Sequence, residues 1–276
     1  ITNTSYLNLN NLNISDLSGI EYFTFLHQLH CEYTNITSLP PLQATLTHLN
    51  VKGCQLTSLP ALPNTLKDLR CGYNQLSSLP VLPGDLTFLD CGNNQLNSLP
   101  ALPDTMYFLI CNNNQLTSLP SLPSDLTTLF CGQNQLTSLP VLPDSLELLD
   151  CNNNQLTGLP TLPNTLKHIN CTNNELGSLP SLPNMLNSLS CDNNQLLSLP
   201  ALPNSLKTLG CSNNQLSVIP TLTDSLIDLS CMDNLLISLP SLPNSLRYLS
   251  CYTNQLTSLP TLPDSLIHLT CEDNQL

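Results

Sequence analysis

The sequence predicts a repeat solenoid, mainly β, with a concave parallel sheet and an extended, polyproline-like convex side. Three observations predict it: a 20-residue period, a column of cysteines each three residues before an asparagine, and a recurrent Leu-Pro-x-Leu-Pro segment. The stretch CGYNQLSSLPVLPGDLTFLD at 71–90 is followed by CGNNQLNSLPALPDTMYFLI at 91–110, and the pattern continues to the last residue. Fixed periods of this length mark architectures in which each unit buries its apolar side only against its neighbours.

Residues 1–30 read as an N-terminal cap and a first atypical repeat. Residues 31–276 read as twelve 20-residue units, Cys31 to Thr270, with a partial thirteenth ending at Leu276. The chain has no initiator Met and stops inside a unit, so a piece of a longer protein is expected.

Numbering each unit from its cysteine places leucine at positions 6, 9, 12, 16 and 19, as in Leu76, Leu79, Leu82, Leu86 and Leu89. Met106, Ile169 and Ile219 replace it with similar volume. Leu69 and Cys71 alternate with Asp68, Arg70 and Gly72, the period of two expected of a short strand with Leu and Cys facing inward.

The cysteine spacing is then a product of the coil. Each thiol stacks on the last as a small buried hydrophobe. The count is thirteen, an odd number, and no Cys-x-x-Cys pair occurs, so neither a disulfide framework nor a thiolate metal site is expected. Asn at position 4, from Asn74 to Asn274, has donors and an acceptor to satisfy turn backbone in unit after unit. Thr34 and Cys54 stand in that slot in the first two units.

Leu-Pro-x-Leu-Pro follows. The first proline is present in all twelve units, and the second is absent only at Gln43 and Thr223. Proline removes a donor and fixes φ near −65°, and twenty residues leave no length for a convex helix. The following pair, such as Asp104-Thr105 or Asn204-Ser205, has the side chains of Asx and Ser/Thr turns.

The frame Leu66-x-x-Leu69-x-Cys71-x-x-Asn74-x-Leu76 fits the leucine-rich-repeat pattern and implies a horseshoe. The LPxLP segment with its 20-residue period resembles the repeats of secreted bacterial effectors of the YopM and IpaH type, over roughly residues 36–276. Those effectors carry an aliphatic residue where this chain has Cys. Their enzymatic domain, where present, lies outside the repeats. The cysteine column is similar instead to internalin-J-like surface proteins, as is the N-terminal run YLNLNNLNISDLSGIEYFTFLHQLHC at 6–31. In that run Leu7, Leu9, Leu12 and Ile14 take frame positions one longer, 22-residue repeat before Leu29 and Cys31. This second resemblance implies a secreted or surface-exposed bacterial protein of adhesin type, served by secretion or anchoring machinery through regions outside the segment.

Composition narrows the partners. The net charge is −13, and Lys52, Lys67, Arg70, Lys167, Lys207 and Arg247 form no run, which argues against nucleic acid and anionic membranes. No apolar run is long enough to span a bilayer, so membrane insertion is not expected. No catalytic constellation, cofactor motif or phosphate loop stands out, and a non-enzyme is expected. His30, His48 and Glu32 fall near one another, yet solvent-facing strand residues read more simply than a metal site.

What remains is the concave face. Most of it is small and polar, but Phe88, Phe108, Ile110 and Phe130 face outward on consecutive strands, with Tyr73 and Leu148 at the borders. Contiguous apolar surface and aromatic anchors mark ligand sites, while cross-strand stacking alone gives the same pattern. Tyr248, Met232 and Tyr252 form a weaker second cluster. The expected ligand is a protein or a glycan. An effector scaffold and a structural spacer are the alternatives.

Overall fold

The computed structural model describes residues 3–276. It contains two compact units, Ile1–Leu136 and Thr137–Leu276. The first carries seven three-residue strands, β1 (Tyr6–Asn8), β2 (Gln28–His30), β3 (His48–Asn50), β4 (Asp68–Arg70), β5 (Phe88–Asp90), β6 (Phe108–Ile110) and β7 (Thr128–Phe130). They pair in chain order, all parallel. The second carries β8 (Leu148–Asp150), β9 (His168–Asn170), β10 (Ser188–Ser190), β11 (Thr208–Gly210), β12 (Asp228–Ser230), β13 (Tyr248–Ser250) and β14 (His268–Thr270), again parallel and in order.

Register follows the period. Leu69 pairs with Leu89, and Leu89 with Leu109. At the N-terminal end the step is 22 residues, Leu7 opposite Leu29, as the longer first repeat requires. Inward strand residues such as Leu69, Leu89 and Leu129 have no solvent exposure, and Leu66, Leu86 and Leu126 one turn earlier are equally dry. Each such leucine contributes about 2 kcal/mol of burial. The connecting segments carry neither helix nor strand, apart from one 3-10 turn at Ile20–Tyr22.

The proline segment ends in a tight turn. The N–H of Leu86 donates to the carbonyl of Pro83 at 3.1 Å, and that of Leu206 to Pro203 at 3.0 Å. Where proline is missing the turn persists: Leu46 donates to Gln43 and Leu226 to Thr223, both at 3.1 Å. The hydroxyls after it act differently from the local Ser/Thr turn that the sequence suggests. Thr105 Oγ1 donates back to Gly84 and Leu86 at 2.9 and 3.0 Å, and Ser205 Oγ to Asn184 and Leu186 at 2.8 and 2.7 Å. These side chains tie one repeat to its predecessor, because the backbone alone closes the turn.

The asparagine column ties the opposite corner. Asn94 Nδ2 donates to the carbonyls of Cys71, Cys91 and Gly92 at 3.1, 3.1 and 3.3 Å, while its Oδ1 accepts the N–H of Leu76 at 3.0 Å. Buried turns need such partners. In the two irregular units, Thr34 Oγ1 donates to Cys31 O at 2.9 Å and Cys54 Sγ to the same carbonyl at 3.1 Å, smaller groups doing part of the amide's work.

The thirteen cysteines are thiols, twelve of them buried and Cys271 half-buried. Several donate weakly across the ladder, as Cys191 Sγ does to Gly210 O at 3.2 Å. Burial pushes the Cys31, Cys171 and Cys251 thiols up to about 12.

One more column governs the corner after each strand. Position 3 is left-handed from repeat to repeat, with φ between 51° and 57° at Tyr33, Tyr73, Asn93, Asn113, Gln133, Asn153, Asn173, Asn193, Asn213, Asp233, Thr253 and Asp273, and 67° at Gly53. Asn and Asp tolerate this region, which explains the recurrent Asn-Asn dipeptide.

Candidate functional site

Positions 18 and 20 of each repeat point away from the core, and in the first unit they assemble a distinct surface. Phe88 and Phe108 are direct partners in the β5–β6 register, as are Ile110 and Phe130 in β6–β7. The Phe88 and Phe108 rings stack with centroids 4.9 Å apart and planes 11° from parallel. Phe130 meets Phe108 diagonally at 6.1 Å and 45°. Stacking leaves all three rings and Ile110 half-buried. Such pairs add about 0.5–1.5 kcal/mol each beyond the area they bury, so the cluster holds its shape without a ligand.

The row continues as cations on rings. The Arg70 guanidinium on β4 lies 4.7 Å from the centre of Phe88, and Lys52 Nζ lies 5.1 Å from that of Tyr73. Tyr73 is 53% exposed and sits at the left-handed corner. Asp68 grips Arg70 with two bonds, from Nε to Oδ1 at 3.0 Å and from Nη2 to Oδ2 at 2.9 Å. Sequence reading missed these cations because Lys52 and Arg70 are distant in the chain from the rings they cover. Their placement two residues outside or at the end of β3 and β4, one strand before each ring, was the available signal.

Asp90 fills the space between. It is only 8% exposed, accepts the Gly92 N–H at 3.1 Å and lies 3.7 Å from Lys52 Nζ. Burial raises its pKa, opposed by the Gly92 amide, Lys52 and Arg70. Gly72 makes the room, since a Cβ there would stand 2.8 Å from Asp90 Oδ1 and 3.1 Å from the Gly92 carbonyl.

Leu148 lies on β8 in the second unit, half-buried. The Tyr248 ring stacks on His268 at 5.4 Å. His30 packs against Tyr6, His48 Nδ1 bonds Thr47 Oγ1 at 2.9 Å, and Glu32 accepts from Asn50, so these three serve separate partners. Among the described residues no three His, Cys, Asp or Glu side chains converge as metal ligands, and no helix is long and apolar enough to cross a membrane.

Stacked parallel strands, the asparagine and cysteine ladders and the leucine columns define a leucine-rich-repeat protein. No family model and no curated protein matches the chain. Among solved structures it is similar to YopM from Yersinia enterocolitica WA-314, at 35% identity and a TM-score of 0.79, over 92% of this chain and 60% of that one. It is similar to YopM, a leucine-rich effector protein from Yersinia pestis, at 33% identity and 0.74, over 97% and 88%. It is also similar to the functional domain of InlJ from Listeria monocytogenes, which includes a cysteine ladder, at 27% identity and 0.80, over 92% and 64%. The chain belongs to the bacterial leucine-rich-repeat proteins with 20-residue repeats of the YopM type. It spans 60% of the length of the Yersinia enterocolitica protein.

Proposed function

We propose that the chain is a non-catalytic binding scaffold that presents the outward face of β4–β7 to a protein or glycan. The carrying observation is the preassembled row Arg70–Phe88–Phe108–Phe130, with Ile110 beside it, on a sheet face that is elsewhere mostly small and polar. Large apolar groups gathered on an open face are the anchors around which interfaces form. The ladder shared with InlJ supports a secreted or surface-exposed, adhesin-like setting, with secretion or anchoring determinants in other regions of the protein.

A second reading, a host-directed effector scaffold, rests on the likeness to the Yersinia pestis effector. Both readings use the same face. The test is a combined protein and glycan array probed with the wild-type chain and with a Phe108→Ser/Phe130→Ser variant of unchanged circular dichroism. Signals lost in the variant support the site; signals retained move it elsewhere. An array without signals favours a spacer.

A further inference from the structure

The geometry points to an extended protein segment as the occupant of this face, lying across the strands with a carboxylate at Arg70 and Lys52 and a large apolar side chain at Phe108, Ile110 and Phe130. This rests on the site proposed above and names its partner.

The faces of the two central rings disfavour sugars. Flat stacking of a sugar needs an open aromatic face. Phe88 has Arg70 from β4 on one side and Phe108 from β6 on the other. Phe108 is covered by Phe88 and Phe130 in turn, and Lys52 covers Tyr73. The two central phenylalanines therefore present edges. Aromatic edges carry partial positive charge and favour carbonyl or carboxylate oxygens, and Ile110 beside Phe130 offers apolar surface to a branched or aromatic side chain.

Charge agrees. Half of the six basic residues, Lys52, Lys67 and Arg70, fall within 52–70 of a chain whose net charge is −13. At physiological salt a charge acts over about 8 Å, so local groups and not the total govern what docks here; Lys52 and Arg70 stand among Asp68, Asp90 and Glu32, and what they offer a carboxylate is spare donors rather than a positive surplus. Asp68 takes Nε and Nη2 of Arg70, leaving Nη1 without a bond among the described residues. Lys52 is held by a 3.7 Å ion pair to Asp90 and by the Tyr73 ring, which keep the ammonium in place with donors to spare. Glu32, the other nearby acid, accepts from Asn50.

Spacing completes the motif. Arg70 on β4 and Phe130 on β7 are three strands apart, about 14 Å, which an extended segment covers in about four residues. The partner motif is thus an Asp or Glu about four residues from a Leu, Ile, Phe or Trp, in either direction.

The test is panning of a phage-displayed random dodecapeptide library on the intact chain, followed by affinity measurement of the enriched peptides. Enriched peptides should share this acid-to-apolar spacing. They should lose at least about tenfold in affinity with Phe108→Ser/Phe130→Ser, and, independently, with Arg70→Gln, whose loss should shrink at high salt. Peptides that depend on Phe108 and Phe130 but need no acid would overturn the partner chemistry and leave the site standing. Binding of maltohexaose, cellohexaose or chitohexaose, abolished by the double substitution, would do the same in favour of a glycan. Dimerisation of the chain in sedimentation, abolished by that substitution, would put a second copy there. Binders indifferent to Phe108 and Phe130 would remove the site itself.

Discussion

The amide of Asn94 donates to the carbonyl of Cys71, twenty-three residues earlier, at 3.1 Å, and accepts from Leu76 of the same earlier repeat at 3.0 Å. One side chain thus closes its own turn and fixes the height of the turn before it. Repetition of this bond makes the coil depend on nearest neighbours, and the rigid placement of β4–β7 that aligns the aromatic row follows from it.

Removing one rung should therefore be felt strongly. Asn234 is 7% exposed and donates to Cys211, Cys231 and Met232 while accepting from Leu216. Asn234→Ala leaves these four backbone groups short of a partner, at a cost of about 2–4 kcal/mol. The urea midpoint should fall accordingly, and Asn234→Asp should restore little, because its oxygens face three carbonyls.

The left-handed column yields a gain of stability. Thr253 is β-branched at φ 53°, where its counterparts Asn193 and Asn213 have 54° and 51°. Thr253→Asn should stabilise by about 1 kcal/mol through relief of backbone strain. Asn193→Val should lose a similar amount. Thermal melts of the two variants in opposite directions check this; equal melting temperatures would argue that the corner carries no strain.

The fold was legible because period and polarity coincide. Leu69 and Cys71 identify the strand, and the invariant first proline excludes a helix on the return. The left-handed corner was less legible, since Tyr73, Gln133 and Thr253 interrupt the Asn column and hide that it answers to φ. At the candidate site, parity placed Phe88, Phe108, Ile110 and Phe130 on one face. It said nothing of how far a long side chain leans sideways, so Lys52 over Tyr73, Arg70 over Phe88 and the burial of Asp90 emerged only from coordinates.

Thr223 marks a defect that substitution should repair. It is 8% exposed, and its hydroxyl is buried without a hydrogen-bond partner. The turn it opens, with Leu226 donating to its carbonyl at 3.1 Å, matches the turn at Pro203. Thr223→Pro removes the orphan hydroxyl and restricts the unfolded chain, so stability should rise by about 0.5–1.5 kcal/mol. A lower urea midpoint for this variant would show that residue 223 does not share the geometry of its proline counterparts.

The thiol ladder sets an alkaline limit on the fold. Burial holds the Cys31, Cys171 and Cys251 thiols at about 12, against an ordinary value of 9.0, and Cys91, Cys111, Cys191 and Cys211 are displaced the same way. Above pH 9 the unfolded chain sheds these protons while the folded chain keeps them, so the unfolded state binds fewer protons and stability falls as pH rises. The contribution is fully present below pH 9 and is lost between 9 and 12. At pH 10 each of the three thiols held at about 12 costs about 1.4 kcal/mol, a large share of the roughly 5–15 kcal/mol stability of an ordinary domain, and the other raised thiols act in the same direction. The chain should hold its urea midpoint from pH 7 to 8 and show a clearly lower one at pH 10. At pH 8 a thiol reagent such as Ellman's should reach Cys271, the half-buried end of the ladder, and the buried cysteines only after denaturation. An undiminished midpoint at pH 10, or reaction of the buried cysteines in the native chain, would mean that the ladder is open to solvent.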